Sequence, residues 1–302
     1  MTSNIIYDII VVGAGPAGLT AALYAGRANK TVALIDKDGY GGNIAKSPKV
    51  ENIPGFESIS GVDFATNLFM QVMNQPTVTH FINKAVLVDY RYGLFKVSLE
   101  DRSIICGKSL IFATGTKHRE LTLDTPNIYY CVTCDGPMFK GKNVMVVGSG
   151  NSGATYALEL AKYCKSVYLC DITQEMCCEA ILADRIKNTK NIYWLPNCTI
   201  DTVKNDKEGQ LASVTTSTMN VIKCKAIFAA IGLIPQTDIV GPFAKLTPNK
   251  YIESSDCITS VVPGVFAAGD CRLSKVKQVA TAVSDGAVAA IEAMKFLDTL
   301  EQ

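Results

Sequence analysis

The sequence predicts an α/β fold of two similar domains, with the second domain inserted into the first. A unit of strand, glycine turn, helix and strand occurs at residues 7–36 and again at residues 143–171. Short strand-like runs follow each unit, and a last strand and helix occupy residues 264–300. The chain has 302 residues, 48% of them apolar and 19% charged, which is enough for two domains that each bury a core.

The first unit has the features of a dinucleotide fingerprint. An apolar run at residues 9–12 predicts a buried parallel strand, and G-x-G-x-x-G follows at residues 13–18. A helical pattern extends to Arg27, and a second strand at residues 31–35 ends at Asp36. The glycines allow a tight turn, close approach to a pyrophosphate and close helix packing, while the acid accepts ribose hydroxyls. An unrelated glycine turn is the alternative.

The second unit repeats this pattern at a constant offset, from Gly13 to Gly148 and from Asp36 to Asp171. Two such units predict two nucleotide sites in Rossmann-like domains of the three-layer ββα type. The spacing does not indicate which cofactor occupies which site. We expect the first domain at residues 1–114 and 244–302, and the inserted domain at residues 115–243.

The stretch "YYCVTCDG" places Cys131 and Cys134 with a two-residue gap, followed by Asp135. Zinc is disfavoured because a structural site needs four ligands, and the eleven cysteines include no second C-x-x-C. A structural pair is disfavoured in a chain without secretory features. A reversible dithiol is the favoured interpretation. Asp135 is a candidate acid for proton transfer, or it only caps or turns the chain.

Charge and hydropathy exclude several classes of partner. The net charge is +1, from 29 basic and 28 acidic residues, so nucleic acid is not an expected partner. The N-terminal stretch has no signal-peptide pattern, and the most apolar stretch is broken by a glycine turn. We therefore expect no membrane segment and a cytoplasmic location.

Seven motifs in order resemble the low-molecular-weight thioredoxin reductases, which are FAD-dependent pyridine nucleotide-disulfide oxidoreductases. The motifs are "VVGAGPAGLTAALYAGRAN", "GGNIAKSPKVENIPGF", "FATG", "CVTCDG", "VVGSGNSG", "FAAIG" and "VFAAGDC". The resemblance covers nearly the whole chain. It implies a homodimeric oxidoreductase that binds FAD in the first domain and reduces thioredoxin or a thioredoxin-like protein.

The resemblance assigns site residues by position. It implies that FAD contacts Gly13, Gly15, Pro16, Ala17, Asp36, Lys37, Gly42, Asn43, Asn52, Gly269, Asp270, Lys277, Gln278 and Val279. From the residues alone, Asn43 and Asn52 could equally hold turns. The resemblance further implies that Cys134 faces FAD, that Cys131 forms the mixed disulfide with the substrate and that Asp135 donates the proton.

The sequence departs from the family at the expected NADPH site. The basic cluster that holds the 2′-phosphate is replaced by "DITQEMC", and two family glutamates are replaced by Thr155 and Tyr156. Asp171 would repel a phosphate but accept from a free ribose hydroxyl, so NADH is favoured and NADPH disfavoured. The expected NADH contacts are Gly148, Gly150, Asn151, Ser152, Gly153 and Asp171. Alternatively, Asp171 only ends a strand in a degenerate site.

Several functions remain open at this stage. A ferredoxin-dependent thioredoxin reductase would not use NAD(P)H, and a reductase for a peroxiredoxin-linked carrier would need that carrier as a separate protein. The segment before Cys131 is shorter than in the family, which leaves the protein substrate open. A non-catalytic flavoprotein redox sensor that uses Cys131 and Cys134 as a switch belongs to a different class.

Overall fold

The computed structural model describes residues 5–47, 50, 52–259 and 261–300, apart from the side chains of Thr133 and Cys134. The chain forms two compact units, one of Met1–Lys117 with Ile234–Gln302 and one of His118–Leu233. This is the predicted α/β architecture, with the second domain inserted into the first.

The domain boundaries of the structure differ from those expected at 114/115 and 243/244. Residues 234–243 belong to the first unit because Val240 and Phe243 are buried in its core. The ring of Phe243 packs edge-on against Phe95, with ring centroids 6.2 Å apart.

The regular elements occur in the following order along the chain. Those of the first segment are β1 (Ile6–Val12), α1 (Pro16–Arg27), β2 (Val32–Asp36), α2 (Gly61–Met73), β3 (Val78–Ile82), β4 (Ala85–Arg91), β5 (Leu94–Leu99), β6 (Ile104–Phe112) and β7 (Thr116–His118). Those of the inserted segment are β8 (Ile128–Tyr129), α3 (Val132–Asp135), β9 (Asn143–Val147), α4 (Asn151–Ala161), β10 (Ser166–Cys170), α5 (Ala180–Lys187), β11 (Ile192–Leu195), β12 (Ile200–Asn205), β13 (Leu211–Thr216), β14 (Val221–Ile222) and β15 (Ile227–Ala229). The chain returns through β16 (Leu233–Pro235) and ends with β17 (Val265–Ala267) and α6 (Val279–Leu300).

The first unit is built on a seven-stranded sheet in the order β3-β2-β1-β6-β5-β4, in which β17 also pairs with β6. Strand β6 pairs with neighbouring strands in both directions. Its first half pairs antiparallel with β5, and its last three residues pair parallel with β17. One strand therefore joins the parallel nucleotide-binding sheet to the antiparallel meander.

The second unit has a five-stranded parallel sheet in the order β11-β10-β9-β15-β8, and β12, β13 and β14 form a separate meander. The parallel order places β8, which leads into the C-x-x-C segment, beside β15. Strands β7 and β16, where the chain crosses between the units, pair with each other. Among the residues described, no helix is long and apolar enough to cross a membrane.

Helices α1 and α6 pack against each other through small residues. Ala17 and Ala21 of α1, and Ala289 and Ala293 of α6, are buried in one core cluster. A Cβ placed on Gly286 of α6 would lie 2.2 Å from the carbonyl oxygen of Ala17. The two helix backbones are thus in direct contact at this position, next to the first glycine turn.

This contact predicts that Gly286→Ala is destabilising, although glycine to alanine within a helix normally stabilises by up to about 1 kcal/mol. We expect a loss of about 1–3 kcal/mol, because the new methyl group can only be accommodated by moving a backbone. Chemical denaturation followed by circular dichroism would measure it. Ser284→Ala, at an exposed position of α6, is the matched control and should change stability by less than about 0.5 kcal/mol. An unchanged or raised midpoint for Gly286→Ala would contradict the prediction.

Candidate functional site

The first glycine turn joins β1 to α1 and depends on the absence of side chains. Gly13 has a φ of +107°, and a Cβ there would lie 2.2 Å from the carbonyl oxygen of Ala113. A Cβ on Gly18 would lie 1.7 Å from the carbonyl oxygen of Gly13. A Cβ on Gly15 would meet no atom of the described residues within 4 Å. The turn is therefore closed at its first and third glycines and open at Gly15, as pyrophosphate binding requires.

Asp36 at the end of β2 is bonded to this turn. Its Oδ2 accepts from the backbone N–H of Ala14 at 2.7 Å, and its Oδ1 accepts from that of Asp38 at 2.8 Å. Each carboxylate oxygen can accept a further hydrogen bond, so the acid can still bind a ribose hydroxyl. Lys37 beside it is half exposed, and its Nζ lies 3.8 Å from Asp38.

Three further predicted FAD residues, Gly42, Asn43 and Asn52, each lie close to another segment of the first unit. A Cβ on Gly42 would lie 3.2 Å from the Cα of Gly15. Asn43 donates from Nδ2 to the carbonyl oxygen of Thr116 at 2.9 Å. Asn52 donates from Nδ2 to Oε1 of Gln278 at 3.1 Å, joining two segments that are far apart in the chain.

The turn before α6 lies against the start of α1. A Cβ on Gly269 would lie 2.9 Å from the Cβ of Ala17. Burial raises the pKa of the Asp270 carboxyl, and the nearby Lys277 ammonium opposes that rise. Lys277 donates to the carbonyl oxygens of Asp270 and Arg272 at 2.9 and 3.1 Å, and burial lowers its pKa. Val279, the last predicted FAD residue, begins α6.

Asp285 is a positioning residue that the sequence analysis missed. One of its carboxylate oxygens accepts from the backbone N–H of Gly269 at 3.1 Å. Both oxygens accept from the Arg272 guanidinium, at 2.6 and 2.5 Å. Asp285 thereby fixes the turn that presents Asp270. The available signal was an acid directly before a glycine in a helical run rich in alanine and valine.

A histidine supports the loop between β2 and α2. The Nε2 of His80 on β3 lies 2.8 Å from the carbonyl oxygen of Gly39. The same ring lies edge-on to Phe69, which stacks on Tyr40 of the loop with ring centroids 4.1 Å apart. These contacts hold the loop against β3 and α2.

These features fit a dinucleotide such as FAD. Gly15 offers open backbone, and Asp270 is a half-buried carboxyl with raised pKa that can accept from hydroxyl groups. The hydroxyl of Thr116 is buried and, among the described residues, has no hydrogen-bond partner. An orphaned buried hydroxyl beside Asn43 is a group that a bound polar molecule would satisfy.

The C-x-x-C segment begins directly after β8, at the start of α3. Cys131 is disulfide-bonded, and its carbonyl oxygen accepts from the backbone N–H of Asp135 at 3.1 Å. The side chain of Cys134 lies outside the part of the chain that the structure describes. Burial raises the pKa of the Asp135 carboxyl, which extends its protonated form to higher pH. The segment therefore has an oxidised cysteine and a potential proton donor within one turn.

Tyr156 anchors the backbone immediately before Cys131. Its hydroxyl donates to the carbonyl oxygen of Tyr130 at 2.8 Å, and burial raises its pKa. The hydroxyl of Tyr130 accepts in turn from the backbone N–H of Leu121 at 2.9 Å. Sequence reasoning noted Tyr156 only as the replacement of a family glutamate. Its partner, Tyr130, lies 26 residues earlier in the chain and outside α4, so nothing local in the sequence indicated the contact.

Nine further cysteines are free thiols, and six of them are buried. Burial raises the pKa of Cys164 to about 11 and that of Cys224 to about 12, which suppresses the reactive thiolate. Cys177 is the exposed one. Burial thus lowers the reactivity of the buried thiols, whereas the C-x-x-C segment contains a cysteine that is already disulfide-bonded.

The second glycine turn, between β9 and α4, repeats the geometry of the first. A Cβ on Gly148 would lie 2.5 Å from the Ala230 carbonyl oxygen, and one on Gly153 would lie 1.8 Å from the Gly148 carbonyl oxygen. Gly150 is again open, because a Cβ there would lie within 4 Å of no other atom in the described part of the chain. Asn151 and Ser152, both exposed, begin α4. The turn therefore fits a second dinucleotide at its pyrophosphate.

Asp171 at the end of β10 is bonded to this turn as Asp36 is to the first. Its Oδ2 accepts from the backbone N–H of Ser149 at 2.5 Å and from the Ser149 hydroxyl at 2.7 Å. Its Oδ1 accepts only a long bond of 3.3 Å, from the backbone N–H of Thr173, among the contacts described. That oxygen can still accept from a ribose hydroxyl.

Comparison with known proteins agrees with this arrangement. Residues 7–286 match the pyridine nucleotide-disulphide oxidoreductase family. Thioredoxin reductase of Mycoplasma genitalium is 31% identical over 300 residues, covering 96% of this chain and 95% of that protein. The enzyme of Treponema pallidum is 32% identical, with 98% of each chain covered. The crystal structure of Lactococcus lactis thioredoxin reductase superposes with a TM-score of 0.79 at 28% identity, covering 97% of this chain and 99% of that one. The chain belongs to the pyridine nucleotide-disulphide oxidoreductase family.

Within this family the protein is of the low-molecular-weight thioredoxin reductase type. The resemblance noted in the sequence is thereby confirmed. The protein is a flavoprotein oxidoreductase that acts on disulfides. Its family uses FAD together with a nicotinamide cofactor, and the two open glycine turns are the places where the structure can hold them.

The raised pKa of Asp135 predicts a pH-dependent role. A raised pKa keeps the carboxyl protonated to higher pH, so proton donation should decline as the pH rises through that pKa. We expect Asp135→Asn to lower turnover by about 10²-fold and to remove this limb of the pH–rate profile. Asp124→Asn, which changes an exposed acid of the same unit, is the control. An unchanged profile in Asp135→Asn would show that Asp135 only turns the chain.

Proposed function

We propose that the protein is an FAD-dependent disulfide reductase that transfers electrons from NADH to thioredoxin or a thioredoxin-like protein through Cys131 and Cys134. The observation that carries the proposal is the disulfide-bonded Cys131, which lies one helical turn from a carboxyl of raised pKa. Relatives that match nearly the whole chain are named thioredoxin reductases, which supports thioredoxin as the substrate. A cytoplasmic homodimer is part of the proposal.

FAD, when bound along the first glycine turn, supplies the two-electron chemistry that reduces the disulfide. The roles of Cys131, Cys134 and Asp135 are those that the family resemblance implies. In the reduced protein, the Cys131 thiolate attacks the substrate disulfide, forming a mixed disulfide and releasing one substrate thiolate. The Cys134 thiolate then attacks the Cys131 sulfur and releases the second. The substrate gains two electrons, the dithiol becomes a disulfide, and Asp135 donates a proton to a leaving thiolate.

The preference for NADH over NADPH rests on the segment that follows β10. Residues 171–179 contain no lysine or arginine to hold a 2′-phosphate, while Asp171 adds a negative charge at the end of β10. The Oδ1 of Asp171 retains capacity to accept from a free ribose hydroxyl. These features support NADH, because a carboxylate accepts from a hydroxyl but repels a phosphate.

The proposal predicts that Cys131→Ser and Cys134→Ser each abolish disulfide reduction while FAD stays bound and reducible. Both cysteines belong to the second unit and the predicted FAD residues belong to the first, so FAD content should be unchanged. Turnover is measured with oxidised thioredoxin, and FAD content by absorbance. Cys177→Ser, at the exposed thiol of the same unit, is the control and should retain activity. Activity in either active-segment variant would contradict the assignment. A redox sensor would fail to sustain turnover even as the wild type.

The donor proposal predicts that NADH bleaches the flavin under anaerobic conditions at much lower concentration than NADPH. The oxidised protein is titrated with NADH, NADPH and reduced ferredoxin in separate experiments, and flavin absorbance is followed. Rapid bleaching by NADPH at low concentration would overturn the interpretation of Asp171. Bleaching by reduced ferredoxin alone would replace the nicotinamide donor with a ferredoxin-dependent reaction.

A further inference from the structure

The two glycine turns differ in the segment that follows the second strand of each unit and packs against the turn. We call it the crossing segment, and it comprises residues 36–44 in the first unit and residues 171–179 in the second. At the offset that relates Gly13 to Gly148, Gly42 of the first unit corresponds to Cys177, and Ile44 corresponds to Glu179. In the first unit the crossing segment meets the turn at Gly42, which has no side chain. In the second unit the same place has longer and charged residues, although the two turns have the same backbone geometry.

Hydrogen bonds join the second crossing segment, residues 171–179, to its turn. Besides the two bonds from Ser149 to Asp171, the backbone N–H of Cys177 donates to the Ser149 hydroxyl at 3.2 Å. Asn151 donates from Nδ2 to Oε1 of Glu179 at 3.1 Å. The backbone N–H of Glu179 donates back to Oδ1 of Asn151 at 2.8 Å. The segment is thus bonded at both of its ends.

Asn151 lies at the N-terminus of α4, beside the second glycine turn. Asn151 is the first residue of α4 and directly follows Gly150, the open glycine of the turn. Its counterpart in the first unit is Pro16, which has no side-chain donor. A carboxylate held by Asn151 therefore lies at the end of α4 that favours negative charge, which is also where a dinucleotide places its pyrophosphate.

We propose that Glu179 is a specificity-determining residue of the second nucleotide site. Its carboxylate is an internal anion that a dinucleotide must displace from Asn151, and its charge opposes each added phosphate. Glu179 thus lowers the affinity of the site for every dinucleotide and lowers it most for one with an additional 2′-phosphate. This inference rests on the proposed function, because it takes the second turn to be the nucleotide site.

The size of the effect follows from the charge. Glu179 is exposed, so its repulsion of a pyrophosphate is screened by water and salt. A carboxylate near a helix N-terminus and a second anion at the same place compete for an interaction of modest strength. We expect removal of the charge to tighten dinucleotide binding by about three- to fivefold at low ionic strength, and by less at high salt.

The test measures binding of ADP-ribose to the FAD-loaded enzyme by isothermal titration calorimetry. ADP-ribose has the adenosine, pyrophosphate and ribose of NADH but no nicotinamide, so binding is read without turnover. Glu179→Gln removes the charge and keeps an acceptor for Asn151, while Glu179→Ala removes both. Glu175→Gln is the matched control, because it removes an exposed charge from the same segment. Flavin reduction by NADH is recorded for each variant.

Tighter binding by both Glu179 variants, with Glu175→Gln within about twofold of the wild type, supports the inference. It does so even if NADH fails to reduce the flavin, in which case only the donor proposal falls. Equal, measurable binding by wild type and Glu179→Gln overturns the inference and leaves the NADH proposal standing. Absence of binding in every variant overturns the inference as well, and absence of flavin reduction by NADH then rejects the donor separately.

Discussion

The close approach of strand and helix at each glycine turn is the constraint on which the rest of the structure depends. A Cβ on Gly18 would lie 1.7 Å from the carbonyl oxygen of Gly13, and a Cβ on Gly153 would lie 1.8 Å from that of Gly148. This approach directs each helix along its sheet, so that the open second glycine and the helix N-terminus come to the same point. In the first unit, α6 uses a similar contact at Gly286 to pack on α1 and to bring the 269–279 segment to the turn.

The two units start from this shared geometry and differ in what surrounds it. In both, the acid that ends the second strand accepts from the backbone N–H after the first glycine, at Ala14 in one case and Ser149 in the other. The first unit adds a half-buried Asp270, a Thr116 hydroxyl without a hydrogen-bond partner among the described residues, and a crossing segment with glycine at its closest point. The second unit adds a segment rich in carboxylates. One fold therefore supports two sites of different electrostatic character.

The C-x-x-C segment is held by the sheet that precedes it. Strand β8 pairs with β15 and delivers the chain to Tyr130, whose carbonyl oxygen is bonded by Tyr156 from α4. The backbone before Cys131 is thus fixed by both a strand and a helix of the second unit. The glycine turn and the dithiol share α4, which begins at the turn and presents Tyr156 near the cysteine.

The sequence by itself determined the α/β class, the inserted second domain, the two glycine turns and the dithiol. These features are local, because a turn that excludes Cβ atoms needs glycine and a short-range disulfide needs two cysteines at fixed spacing. It also indicated Asn43, Asn52 and Gln278 through the family resemblance.

Only the tertiary structure decided which distant groups meet, as in the Asn52–Gln278, Asp285–Gly269 and Tyr156–Tyr130 hydrogen bonds. It also decided that residues 234–243 belong to the first unit and that Glu179 bonds Asn151. Such contacts join segments that are far apart in the chain. No local pattern in the sequence indicates them, because they result from tertiary packing.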